Sequence, residues 1–122
     1  MSLSQIRKKT IELQKQREVL ELKLIRQRAK MEQGSLIKKF TACRKGNCKC
    51  NKGELHGPFI YLSQKVEGKL KQRYAGKDSD KQTVEKVKRY MKYQDILADI
   101  RKINKEFDLL FNSYRDELTI KR

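Results

Sequence analysis

Residues 40–62 read FTACRKGNCKCNKGELHGPFIYL, and the rest of the chain is arranged around this stretch. It holds all three cysteines (Cys43, Cys48, Cys50), the single histidine (His56) and the single proline (Pro58). Zinc accepts three thiolates and one imidazole in a tetrahedron, and structural sites draw such ligands from short knuckles. The spacing C-x4-C-x-C-x5-H therefore predicts a structural zinc site on Cys43, Cys48, Cys50 and His56. Gly46 and Gly53 supply tight turns between the ligands. Arg44, Lys45, Lys49 and Lys52 favour the thiolate form and offset the negative charge of the site. Cys48-x-Cys50 is tighter than the common C-x2-C knuckle. An iron–sulfur cluster on the same ligands is an alternative. Others are free thiols packed as small hydrophobes, a redox pair at Cys48 and Cys50, and a His56 that only orients the Gly57–Pro58 turn. Without His56, a water, Glu54 or a second chain would have to close the site.

On either side of this loop the pattern is that of strands. Ser35 to Ala42 places Leu36, Phe40 and Ala42 on one side of an extended chain, with Lys38 interrupting. Pro58 to Val66 is β-branched and aromatic, and opens on a proline where no ladder donor is needed. Glu67-Gly68 has the form of a two-residue hairpin turn, and Lys69 to Ala75 alternates as the return strand before Gly76.

Beyond the strands, both ends of the chain read as helix. Residues 1–33 lack Gly and Pro and are rich in helix formers, with Gly34 as a stop. Ile6, Leu13 and Leu20 recur at heptad spacing, and Leu24 and Met31 extend that side; Thr10, Arg17 and Gln27 interrupt it. Asp78-Ser79-Asp80 supplies a capping region for a second helix over roughly residues 80–117. There Tyr93, Ile100, Phe107 and Tyr114 form one row. Leu97, Asn104, Phe111 and Leu118 form a second, and Ile96, Ile103 and Leu110 a third. Three adjacent rows make a face wide enough for two packing neighbours. Asn104 either fixes register within that face or is a solvated boundary residue. The expected fold is α+β: two long antiparallel helices flanking a small metal-stapled three-stranded β-unit. The divisions are 1–33 (N-terminal helix), 34–77 (zinc-knuckle and hairpin unit) and 78–122 (C-terminal helix), within one folded domain overall.

Composition narrows the function. Charged residues make up 38% of the 122 and hydrophobic ones 37%, with no Trp, so a single large core is not expected. The net charge is +16, from 31 Lys and Arg against 15 Asp and Glu. Residues 34–77 carry eleven of those cations against only Glu54 and Glu67, a net +9. Such an excess selects polyanions, nucleic acid first. MSLSQIRKKT lacks the apolar core of a leader and no run reaches spanning length, so a cytoplasmic location without membrane insertion is expected.

The motif Cys43, Cys48, Cys50, Gly53-Glu54, His56-Gly57-Pro58-Phe59, Tyr61-Leu62-Ser63, with Gly68-Lys69 and Arg73-Tyr74, resembles a family of small basic bacterial and archaeal proteins of uncharacterised function. The likeness covers roughly residues 34–76. The helices match only in being long and charged, and Arg44-Lys45-Gly46-Asn47 departs from the Gly or Pro usual in that knuckle. Members are often encoded near transposases or other mobile elements, and the resemblance implies work on nucleic acid without naming a reaction.

These readings converge on a nucleic-acid-binding accessory protein, with Lys38, Lys39, Arg44, Lys45, Lys49, Lys52, Lys65, Lys69, Lys71 and Arg73 meeting phosphates. Tyr61, Tyr74 and Phe59 could stack on bases, but Phe59 and Tyr61 are expected in the core of so small a β-unit. The other reading is a helical interaction subunit, pairing with itself or with a larger nucleic-acid enzyme, with the basic unit assisting. An enzyme is not expected: a site with four protein ligands leaves zinc no open position, and Glu54 is the only acid near His56. No recognition-helix signature supports major-groove readout.

Overall fold

The computed structural model describes residues 1–42 and 53–122. In order, the elements are helix α1 (Leu3–Ile25), strands β1 (Ser35–Thr41), β2 (His56–Val66) and β3 (Lys69–Tyr74), a 3-10 turn (Asp78–Asp80) and helix α2 (Lys81–Leu118). The class is α+β, with two long helices and one antiparallel sheet ordered β1-β2-β3. The chain divides into two compact units, one of residues 1–28 with 93–122 and the other of residues 29–92.

In the helical unit, α1 starts on a capping box. The Gln5 amide donates to Ser2 Oγ at 3.2 Å, and the Ser2 amide donates to Gln5 Oε1 at 2.9 Å. Two orphan donors of the first turn are thereby satisfied. Ile6 and Leu13 of α1 bury against Ile103, Phe107 and Leu110 of α2, with Leu20 and Tyr114 packed at the edges. The expected heptad row of α1 and two of the three rows of α2 therefore make this core. The helices run antiparallel, because Arg7 donates to Tyr114 and Arg17 donates to Asn104. Ten residues forward on α1 are ten residues back on α2.

Arg17, which broke the apolar row in the sequence, lies with its guanidinium 4.5 Å from the centre of the Phe107 ring. It also donates to Asn104 Oδ1 at 3.2 Å and meets Glu21 at 3.4 Å. A long cationic side chain can cover an apolar surface while its head stays wet. Asn104 is exposed, a solvated boundary residue of the face, and still meets Arg17 across the pair of helices.

The helix predicted over 1–33 ends at Ile25. Beyond it Met31 is the only large apolar side chain before Gly34, and propensity without an apolar face to bury does not sustain a helix. The backbone there finds other partners. Arg89 donates to the Lys30 carbonyl at 2.8 Å, the Glu32 amide donates to the Lys86 carbonyl at 3.2 Å, and Gln64 donates to the Gln33 carbonyl at 2.9 Å.

In the β-containing unit, Leu62, Ala75 and Val87 form the core, joined by Leu36, Val84 and Met91. Leu36 lies opposite Leu62, so these two strands present one apolar face to the first turns of α2. The turn at Glu67-Gly68 has φ of 54° and 79°, the paired positive values of a type I′ hairpin, as the sequence predicts. β2 begins two residues before Pro58 because the strand continues through a bulge. Lys39 pairs with Phe59 and Thr41 with His56, leaving the extra residue on β2. Gly57 makes this possible. Its φ is +136°, and a Cβ there would lie 2.8 Å from the Lys39 carbonyl oxygen.

Candidate nucleic-acid interface

Thr41 and His56 are Cα partners at one end of the sheet, so the ladder brings the two sides of the cysteine-bearing segment to adjacent points. His56 is half-buried there, at the start of β2. The expected ligands Cys43, Cys48 and Cys50, and the cations Arg44, Lys45, Lys49 and Lys52, lie outside the described residues. Among the described residues no cluster of three or more potential metal ligands occurs. Three cysteines and a histidine are, by their chemistry, a donor set that suits tetrahedral zinc.

The six cationic candidates that the structure describes divide between the two faces of the sheet. Side chains alternate along a strand, and the register fixes which ones share a face. Lys39 pairs with Phe59, and Lys65 with Leu70, on the face that also carries Tyr61 and Tyr74. Lys38 pairs with Ile60, Lys71 with Gln64, Lys69 with Val66 and Arg73 with Leu62, on the face that holds the apolar core. Every residue of β3 is exposed, so this edge strand presents both sets. Lysines on such an edge also oppose pairing with a strand of another molecule.

Arg73 is the one described candidate committed to an acid. Its guanidinium bonds Asp80 Oδ1 at 2.5 Å, with the Asp80 side chain 11% exposed and that of Arg73 52% exposed. Asp80, read in the sequence as part of a helix cap, thus ties the end of β3 to the entry of α2. Lys39 donates to Gln72 Oε1 at 3.2 Å, and its ammonium sits 4.4 Å from the centre of the Tyr61 ring.

Phe59, Tyr61 and Tyr74 form one cluster on the face away from Leu62. Tyr74 meets Phe59 edge-on at 6.2 Å between centroids and Tyr61 at 5.8 Å. Phe59 and Tyr61 are half-buried and stand apart from the core cluster. They are not the core side chains the sequence led us to expect, because Leu62, one position away on β2, takes that role. The signal that could have found this cluster was the turn itself. A two-residue loop at 67–68 forces Tyr61 opposite Tyr74 and Leu62 opposite Arg73.

The profile of a domain of unknown function, DUF6788, matches residues 7–86. The chain belongs to this family. The DUF6788 match takes in most of α1, the whole sheet, the cysteine-bearing segment and the entry of α2. No curated protein and no solved structure matches the chain. No described helix is long and apolar enough to cross a membrane.

Proposed function

We propose that this chain is a nucleic-acid-binding accessory protein whose β-unit is stapled by structural zinc and which serves a mobile element or a defence system. One observation carries the reading: Lys38, Lys65, Lys69 and Lys71 are exposed on a three-stranded sheet, and none forms an ion pair among the described residues. Cationic side chains held on a sheet neutralise phosphates and release counterions, which favours binding and makes it fall with salt. Zinc would be held by Cys43, Cys48, Cys50 and His56, and would supply folding free energy to the loop rather than a reaction. The adjacent anchors Thr41 and His56 support that closure. A binding role, without catalysis, follows from a site whose four protein ligands leave no place for a reacting water. Binding of labelled single- and double-stranded DNA and RNA at two salt concentrations tests the reading; affinity indifferent to salt would contradict it.

A second reading has its own support in the helical unit. Ile11 and Val19 of α1 are 52% and 54% exposed, and Leu109 and Phe111 of α2 are 68% and 55% exposed. Phe111 lies on the second apolar row of α2, whose C-terminal members Phe111 and Leu118 are exposed. An apolar groove lined by Val19, Leu20 and Ile103 lies on the same unit. These side chains suit a helical partner, either a second copy or a subunit of a larger nucleic-acid enzyme. Light scattering across concentrations separates self-pairing from a strict monomer.

A further inference from the structure

The outer face of the sheet holds a large aromatic ring fixed in place and left in contact with solvent. Tyr74 is 45% exposed. Its orientation is set by edge-on contacts at 5.8 Å to Tyr61 and 6.2 Å to Phe59. Its ring also lies over Gly76, where any Cβ would strike it. A ring held this way loses little further freedom when a ligand arrives. Positive charge shares that face: the Lys39 ammonium lies 4.4 Å from the centre of the neighbouring Tyr61 ring, and Lys65 stands farther along the same face, paired with Leu70, roughly 13 Å away along the strand. We propose that Tyr74 is a stacking platform for the unpaired bases of single-stranded nucleic acid, with Lys39 and Lys65 meeting the flanking phosphates.

This rests on the nucleic-acid reading above and gives it a substrate class. Three features favour unpaired nucleotides over other occupants. The core cluster of Leu62, Ala75 and Val87 does not use these rings, so core packing does not explain them. The segment around them, residues 34–77, has eleven Lys and Arg against two acids, so the ligand should be an anion. Bases in a duplex are stacked on each other and offer no free face, whereas a single strand offers one per nucleotide, on any sequence.

The test is fluorescence anisotropy of the full chain with labelled oligo(dT), oligo(U) and a duplex of equal length, for wild type, Tyr74→Phe and Tyr74→Leu. Tyr74→Phe keeps a π-face and should stay within about twofold of wild type on single strands, while Tyr74→Leu should lose about five- to a hundredfold there and little on duplex. Ultraviolet crosslinking of the wild type to a 5-bromouracil oligonucleotide, with peptide mapping, supplies a readout independent of the variants' folding. An adduct at Tyr74 supports the platform, and adducts only elsewhere overturn it. Single strand and duplex bound equally, with Tyr74→Leu unchanged, overturn the stacking inference and leave phosphate-led binding standing. Wild type that binds none of the three probes overturns both. Comparison of oligo(dT) with oligo(U) tells which backbone the face prefers.

Discussion

Replacing Arg73 with methionine should cost the β-containing unit about 2 kcal/mol of stability, because it strands a nearly buried carboxylate. With charge centres about 4 Å apart and an effective dielectric near 20, the gross attraction to Asp80 is roughly 4 kcal/mol. Arg73 is half-exposed, with 52% of its side chain open to solvent, so water screens the pair from that side. Asp80, at 11%, has given up most of its hydration. The net coupling left after desolvation and screening is about 1–2 kcal/mol. Asp80→Asn should lose a similar amount, since it also removes a negative charge from the entry of α2. Urea unfolding followed by far-UV circular dichroism, on wild type, both single variants and the double variant, isolates the coupling. The double variant should be less destabilised than the sum of the singles by about 1–2 kcal/mol, and additivity within ~0.3 kcal/mol would refute the reasoning.

Gly57→Ala should destabilise by about 2 kcal/mol in the same assay, since a Cβ at this positive φ collides with the Lys39 carbonyl. Leu62→Ala, at a position 1% exposed, should cost about 3 kcal/mol, and Phe107→Ala, 4% exposed in the helical core, about as much or slightly more; a loss below ~1 kcal/mol at either would contradict the core assignments. Metal analysis of purified wild type should find about one zinc per chain and of Cys48→Ser much less. A metal-free, folded wild type would end the zinc proposal.

Much of the architecture was legible because local signals agreed. The heptad row Ile6, Leu13, Leu20, the Glu67-Gly68 turn and the run of β-branched and aromatic residues after Pro58 each specify one conformation. Ser2-Leu3-Ser4-Gln5 also carries the capping-box pattern that starts α1, a signal the apolar rows overshadowed. The end of α1 was missed because residues 26–33 are good helix formers, while the apolar face stops at Ile25 and the backbone beyond it finds partners at Lys86, Arg89 and Gln64. The division of cations between two faces was half legible. Alternation and the turn determine the register of β2 with β3, but the register of β1 depends on the bulge at Gly57. Arg73 looked like any other cation on the hairpin, because its partner Asp80 belongs to another element. Phe59 and Tyr61 were misjudged for the opposite reason: aromatic content predicts burial on average, and only the parity across the hairpin shows which face receives them.

The most direct test of the central claim is the salt dependence of binding by the intact chain, purified with zinc supplied, to a labelled single strand. If the exposed lysines of the sheet and the cations of the cysteine-bearing segment engage about four to six phosphates, log K should fall linearly with log salt with a slope of roughly −3 to −4. Removing Lys65 or Lys71 should flatten that slope more than removing Arg73, whose charge Asp80 already meets. A slope near zero, or no binding at low salt, would contradict the account.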